Sequence, residues 1–400
     1  MAGDATMTAT GSSIRLNAAT DVTLGNVVAM NVSVVADSGS IINAAGSSKN
    51  VTATTLRLIA DDAIGAATNH LTTAVSTLTA LSTGTDSAGI YVTEDDAVAI
   101  DTVSVTVTEF SATATTSAVT DNSQSDMRTL ANSGNIVLVA GGAVTLNDGT
   151  ANTGSAGFAG SAVSAHGSSS VLIDVNSGDL TINSDILSTT GHITLKAAGS
   201  VVVGSSSATG VDVTTGTAGT ISVDAEGGAL TMAGDATMTA TGSSVRLNAA
   251  TDVTLGNVVA TNVSVVSDTG SIINAVGSTK NVTATTLRLQ SDDMIGAATN
   301  HLTTAVATLT ALSTGTDSAG IYVMESDAVT VDTVSVTVTE FSATATTSAV
   351  TDNSQSDMRT LANSGNIVFG SRWSRDAERR QCKHEWRRSC WCSSECQWQR

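Results

Sequence analysis

Apolar residues along this chain come in short alternating bursts: Ile14-x-Leu16, Val22-x-Leu24, Val32-x-Val34, Leu56-x-Leu58, Val103-x-Val105-x-Val107, Leu180-x-Ile182, Ile193-x-Leu195 and Ile221-x-Val223. A two-residue period puts alternate side chains on one buried face, the mark of a β-strand. Gly, Asn, Asp or Ser interrupts the bursts every six to ten residues, so the strands are short. A long row of short strands fits either a string of β-sandwich domains or a solenoid. Proline is absent and aromatic residues make up only 2%, whereas sandwiches bury large aromatics and use proline at edges and turns. Short strands stacked coil upon coil, about 4.8 Å apart, also pair every backbone edge except at the two ends. The pattern therefore predicts one elongated all-β solenoid over residues 1–368, with under about 10% helix. Coils of about 20 residues would give about 18 turns and a rod of about 85 Å.

The chain repeats itself. MAGDATMTATGSSIRLNAATDVTLGNVVA at Met1 returns as MAGDATMTATGSSVRLNAATDVTLGNVVA at Met232, and residues 1–137 and 232–368 align without a gap and differ at 14 positions. Three regions follow: a first unit (1–231), a second and truncated copy (232–368), and a tail (369–400) unlike either. Met1 is the counterpart of a methionine inside a repeat, so the natural start and any export signal are expected further upstream. Where the copies differ, they test the alternation. Leu56 and Leu58 return as Leu287 and Leu289 and should face inward, whereas Ile59 and Ala60 become Gln290 and Ser291 and should face outward or into a turn. Ile14 to Val245 and Ile100 to Val331 are changes that a packed interior tolerates.

The tail holds all four Cys, all four Trp and 8 of the 17 basic residues. Combining the last two bases of each tail codon with the first base of the next, under allowed synonyms, turns Phe369–Arg380 into LVAGGAVTLNDG, the sequence of Leu138–Gly149. Across 369–384 only Gln381 fails to match its counterpart, Thr150. The tail is thus a shifted-frame reading of the same repeat. Cys382, His384, Cys390, Cys392 and Cys396 would pass a loose search for zinc ligands, but their spacing fits no C-x-x-C pair of pairs. They are assigned to the accident of frame, as is the basic, Trp-rich character of the segment, and the tail is expected to be disordered or non-native and unable to continue the ladder. With it set aside, the body has no cysteine and so no disulfide scaffold.

Net charge is -19, and residues 1–370 carry 9 basic against 32 acidic side chains, or -23. Phosphate binding needs clustered Lys and Arg, so nucleic acid is disfavoured as a partner. No apolar run reaches the roughly 18 residues of a membrane span.

GDLTINSDILSTTGHITLKAAGSVVV, LRLIADDAIGAATNHLTTAVSTLTALS and AGIYVTEDDAVAIDTVSVTV resemble the repeat regions of filamentous haemagglutinin-like and other giant bacterial surface adhesins, over roughly residues 1–368. The resemblance implies a right-handed parallel β-helix, export to the bacterial cell surface, and a role in adhesion or biofilm.

Polysaccharide lyases and hydrolases also use β-helices, with carboxylates clustered on one face. The candidates here are Asp61 with Asp62, and Glu94 with Asp95 and Asp96; Asp95 becomes Ser326 in the second copy, which a catalytic or calcium cluster would not readily accept. His70 and His301 occupy the same place in both copies (ATNHLTTAV), with no Ser, Cys or acid at useful spacing, and read as turn or rim histidines. No P-loop, H-E-x-x-H or glycine-rich calcium repeat is present. No catalytic residue, metal ligand or cofactor is therefore assigned. The expected function is non-enzymatic: an extracellular adhesin or structural stalk segment whose partner is a glycan, a matrix protein or another copy of itself. The alternatives are a carbohydrate-active β-helix enzyme, or a gene fragment with no function of its own.

Overall fold

In a computed structural model, residues 1–371 are described except for 86–88, 131–133, 150–159, 206–209, 316–319 and 362–364. Every regular element among the described residues is a strand, and most belong to one 28-stranded, largely parallel sheet wound into a β-helix. In the coils between residues 136 and 240 three strands make one turn, for example Ile193–Ala197, Val201–Val203 and Asp212–Thr215. Each lies in register on the strand one coil away, as Ile173, Leu195 and Val223 do.

One inward ladder runs the length of the rod. Val22, Ile41, Ile64, Ile90, Ile136, Val171, Ile193, Ile221, Val245, Val263, Leu287, Leu309 and Val331 stack in that order, aliphatic at every level. Branched side chains of similar size fill a narrow interior without the volume an aromatic would demand. The twelve rises make a rod of about 58 Å, shorter than the sequence predicts. The reason is that coils differ in length. The step from Val171 to Ile193 is short and that from Ile193 to Ile221 somewhat longer, but the step from Ile90 to Ile136 takes far more chain, because a segment there leaves the coil.

Those departures are antiparallel hairpins, which the sequence reading did not foresee. Val103–Phe110 pairs with Thr116–Gln124, and Val334–Phe341 pairs with Thr347–Gln355. Val103-x-Val105-x-Val107 forms a strand, as its alternation predicts, but the arm lies against the outside of the rod. Each hairpin turns through an alanine in left-handed conformation, Ala114 (φ 57°) and Ala345 (φ 56°).

The two copies are not related by a simple rise along the axis. Val22 is the counterpart of Val253, yet its ladder arrives at Val245, the counterpart of Ile14. Eight rises carry the ladder from Val22 to Val245, and the stretch from Val245 to Val253 then takes the chain round one more side of the coil. The second copy is therefore turned by one side relative to the first. The junction at residues 231 and 232 is continuous, with Val213 under Met238, Ile221 under Val245 and Leu230 under Val253.

At the far end, Phe369, Gly370 and Ser371 continue Ile367–Ser371 in register on Ile321–Glu325. These first tail residues do join the ladder, contrary to the sequence expectation, because parallel pairing uses backbone groups that a change of reading frame leaves intact. The remainder of the tail, including Cys382, His384, Cys390, Cys392 and Cys396, lies outside the described residues.

Candidate functional site: two straps and the groove beneath one

The carboxylates singled out from sequence sit at coil corners. Glu94 is 1% exposed; it accepts hydrogen bonds from Thr73 Oγ1 (2.5 Å), Val75 N (2.9 Å) and Asp96 N (3.3 Å). Burial pushes its carboxyl up, and those donors hold it back. Glu325 repeats the pattern with Thr304, Val306, Ser326 and Asp327. Asp95 pairs at the surface with Lys49 (2.7 Å), which raises the Lys49 ammonium. Asp61 accepts a hydrogen bond from Thr83 Oγ1 (3.3 Å), while Asp62 supplies its backbone oxygen to Ser82 Oγ (2.8 Å). Each group is thus a partner to the neighbouring coil. Among the described residues no three His, Cys, Asp or Glu side chains gather as metal ligands.

His70 reaches the second hairpin. Its Nδ1 is 2.9 Å from Thr93 Oγ1, its Nε2 is 3.0 Å from Ala343 O, and its ring centroid lies 6.0 Å from that of Tyr91. His301 has the matching aromatic neighbour, Tyr322, also at 6.0 Å.

The hairpins are straps laid along the rod. In the first, Asp121 meets Arg15 Nε at 2.9 Å and Arg57 Nη1 at 4.0 Å, and Gln124 Nε2 donates to Leu58 O at 3.0 Å. The second repeats these with Arg246 Nε and Asp352 (3.0 Å), and with Gln355 Nε2 donating to Leu289 O (2.8 Å). It also runs further. Thr220 Oγ1 donates to Thr339 O (2.6 Å), Ser222 Oγ to Glu340 (2.8 Å), and Phe341 N to Thr194 Oγ1 (2.9 Å). Lys196 Nζ lies 2.8 Å from Glu340, and Phe341 packs on Tyr91, Val137 and Leu172. Beside these contacts is a cleft of about 170 Å³ between the hairpin and the coils, lined by Leu172, Asp174, Lys196, Glu340 and Phe341 among others. The two straps lie on different sides, since the copies are turned relative to each other.

Charge complementarity holds the straps. Burial pushes the Asp121 carboxyl up, but Ser33, Arg15 and Arg57 outweigh it and leave the group below its ordinary range. At Glu340 burial likewise acts upward and is overcome by Lys196 and Ser222, with Arg246 adding to them. A depressed folded-state pKa gives stability that is present above the unfolded value and lost as pH falls through the folded one. Acid should therefore loosen both straps.

Asp126, where the first strap rejoins the rod with φ 72°, behaves oppositely. It is 3% exposed, accepts from Ser125 Oγ (2.9 Å) and Gly149 N (3.1 Å), and burial pushes its pKa up to about 6. A raised carboxylate pKa destabilises the fold once the group is charged, a cost that fades as pH falls from 6 to below the unfolded value near 3.8. Asp126→Asn keeps the shape, the left-handed tolerance and an acceptor for Gly149. It is expected to stabilise the chain at pH 7.5 by about 1–3 kcal/mol and to be near neutral at pH 4. Urea midpoints at the two pH values check this.

No family model matches this chain, and no curated protein and no solved structure matches it either.

Proposed function

We propose that this chain is a segment of a large bacterial surface protein that works as a non-enzymatic adhesive or structural stalk, exported outside the cell. The observation that carries the reading is the aliphatic ladder from Val22 to Val331, which crosses the boundary between copies without a break. A fold whose units add end to end is suited to set distance and to repeat a surface many times. Repetition turns weak contacts into avidity when the partner is also multivalent.

Five of the nine cations in residues 1–370, namely Arg15, Arg57, Lys196, Arg246 and Arg288, face strap carboxylates. The outward surface is correspondingly acidic, which disfavours bare anionic membranes and favours a glycan, a matrix protein or another copy of the chain as partner. The filamentous haemagglutinin-like resemblance agrees with this reading.

The test is display of the rod on non-adherent cells beside a length-matched inert spacer. More attachment than the spacer gives is expected from an adhesin, and equal attachment would reduce the segment to a stalk. Release of sugar fragments from polysaccharides would overturn the non-enzymatic assignment.

A further inference from the structure

Residues 101–137 and 332–368 are identical, yet their hairpin tips are in different situations. Phe341 is 4% exposed and Glu340 9%, whereas Phe110 is 73% exposed and Glu109 lies in solvent. The first hairpin grips its own coils through Asp121 and Gln124 in the same way as the second, so its overhang has the same direction relative to the coils it straps. The coils that seat the second tip, carrying Thr194, Lys196, Thr220 and Ser222, come just before the coil that begins at Thr237. The first tip overhangs the corresponding position before Thr6–Ala18. That strand also presents an open edge: Met7 is 39% exposed, while its counterpart Met238, paired with Val213, is 0% exposed.

We propose that the tip of the first hairpin, together with the edge of Thr6–Ala18, is a docking surface for another copy of this chain's own unit. That copy is seated end-on, with its counterparts of Val213, Ile221 and Leu230 laid against Met7, Ile14 and Val22. Its Lys196 and Ser222 take Glu109, its Thr194 accepts the Phe110 N–H, and its Leu172 and Val137 cover the Phe110 ring. The hairpin is then a clasp, in which each unit reaches back over the one before it and reports that the unit beneath is present and in register.

A protease that cuts after glutamate distinguishes the two tips by fragment mass. Cutting tracks how often the tip opens. In the chain as it stands, cutting after Glu109 is expected to be about 100-fold faster than after Glu340. Phe341→Asp should bring the Glu340 site up to the Glu109 rate. Placing a further copy of residues 1–231 ahead of Met1, which recreates the junction found at 231 and 232, should slow cutting after the original Glu109 to the Glu340 rate and leave only the new outermost tip open. Equal rates at the two sites in the unmodified chain would overturn the proposal, with no need for the longer chain to fold. So would a fast original Glu109 site in a longer chain whose circular dichroism shows the added strands. Protection of Glu109 on merely concentrating the unmodified chain, whose own seat is already filled, would assign the tip to a different surface and also overturn it.

Discussion

Replacing Leu195 by alanine should destabilise the middle of the rod by about 2–5 kcal/mol, and replacing it by aspartate should split the rod into two separately melting halves. Leu195 is 0% exposed and stacks between Ile173 and Val223. Truncation leaves a void between two coils that cannot close up, because their spacing is fixed by the backbone ladders on all three sides. A carboxylate there has no partner and no water. Since each coil touches only its neighbours, the damage stays local and cooperativity is lost along the axis. Urea unfolding followed by circular dichroism should show one transition for the parent and two for Leu195→Asp; an unchanged single transition would mean that the interior tolerates charge.

The second large effect is expected at Asn281, a polar side chain that is 0% exposed. Its amide donates to Leu255 O (2.8 Å) and Asn274 Oδ1 (2.9 Å), and its oxygen accepts from Thr303 N (2.8 Å) and Thr303 Oγ1 (3.2 Å). Asn50 makes the matching set with Leu24, Asn43 and Thr72. These bonds tie three successive coils at a corner where the backbone leaves the ladder. Asn281→Leu keeps the volume but takes the donor from the buried Asn274 side-chain oxygen and the acceptor from the Thr303 N–H, while Leu255 O keeps only its bond from Ala275 N, a loss of about 2–5 kcal/mol. Asn281→Asp keeps both acceptor contacts but turns the donor into an oxygen facing two other oxygens, and should be at least as damaging above pH 5. Thermal midpoints of the two variants check the claim, and a leucine variant as stable as the parent would show that the corner does not depend on the bonds.

Much of the winding is legible in the chain because a two-residue period bounded by turn residues leaves little choice about which side chains point inward. Leu56, Leu58, Leu287 and Leu289 are all 0% exposed, as the comparison of the copies requires. Ile59 and Gln290 are only half-buried. Ala60 and Ser291, expected to face outward or into a turn, are instead fully buried, because the two-residue period that points Leu56 and Leu58, and Leu287 and Leu289, inward continues to the next alternate position, where the small serine also finds an acceptor, Asp293 O at 2.9 Å. Ile100 is 0% exposed, yet Val331 is 42% exposed: Ile100 is covered by Leu146 one coil on, whereas no strand among the described residues lies over Val331. The hairpins are not legible in the chain for a physical reason. Alternation records that one face is buried, but says nothing of whether the covering surface is the next coil or an arm folded back on the rod. The strap contacts missed with them, between Asp121, Glu340 and their arginine and lysine partners, join acids and bases far apart in sequence that only the winding brings together.

The turn of one side per unit has a consequence for any array built from this repeat. At about 4.8 Å per coil, a unit of eight turns and a side rises about 40 Å. A feature on the outer surface, such as a strap, therefore moves one side round the shaft with each unit and returns to the same bearing only after three, about 120 Å further on. A flat partner lying along one side would meet the same epitope at that long interval, whereas a partner that wraps the shaft would find it once per unit, on a spiral staircase. Bending stiffness would be averaged over all bearings, so that the shaft has no preferred plane in which to buckle.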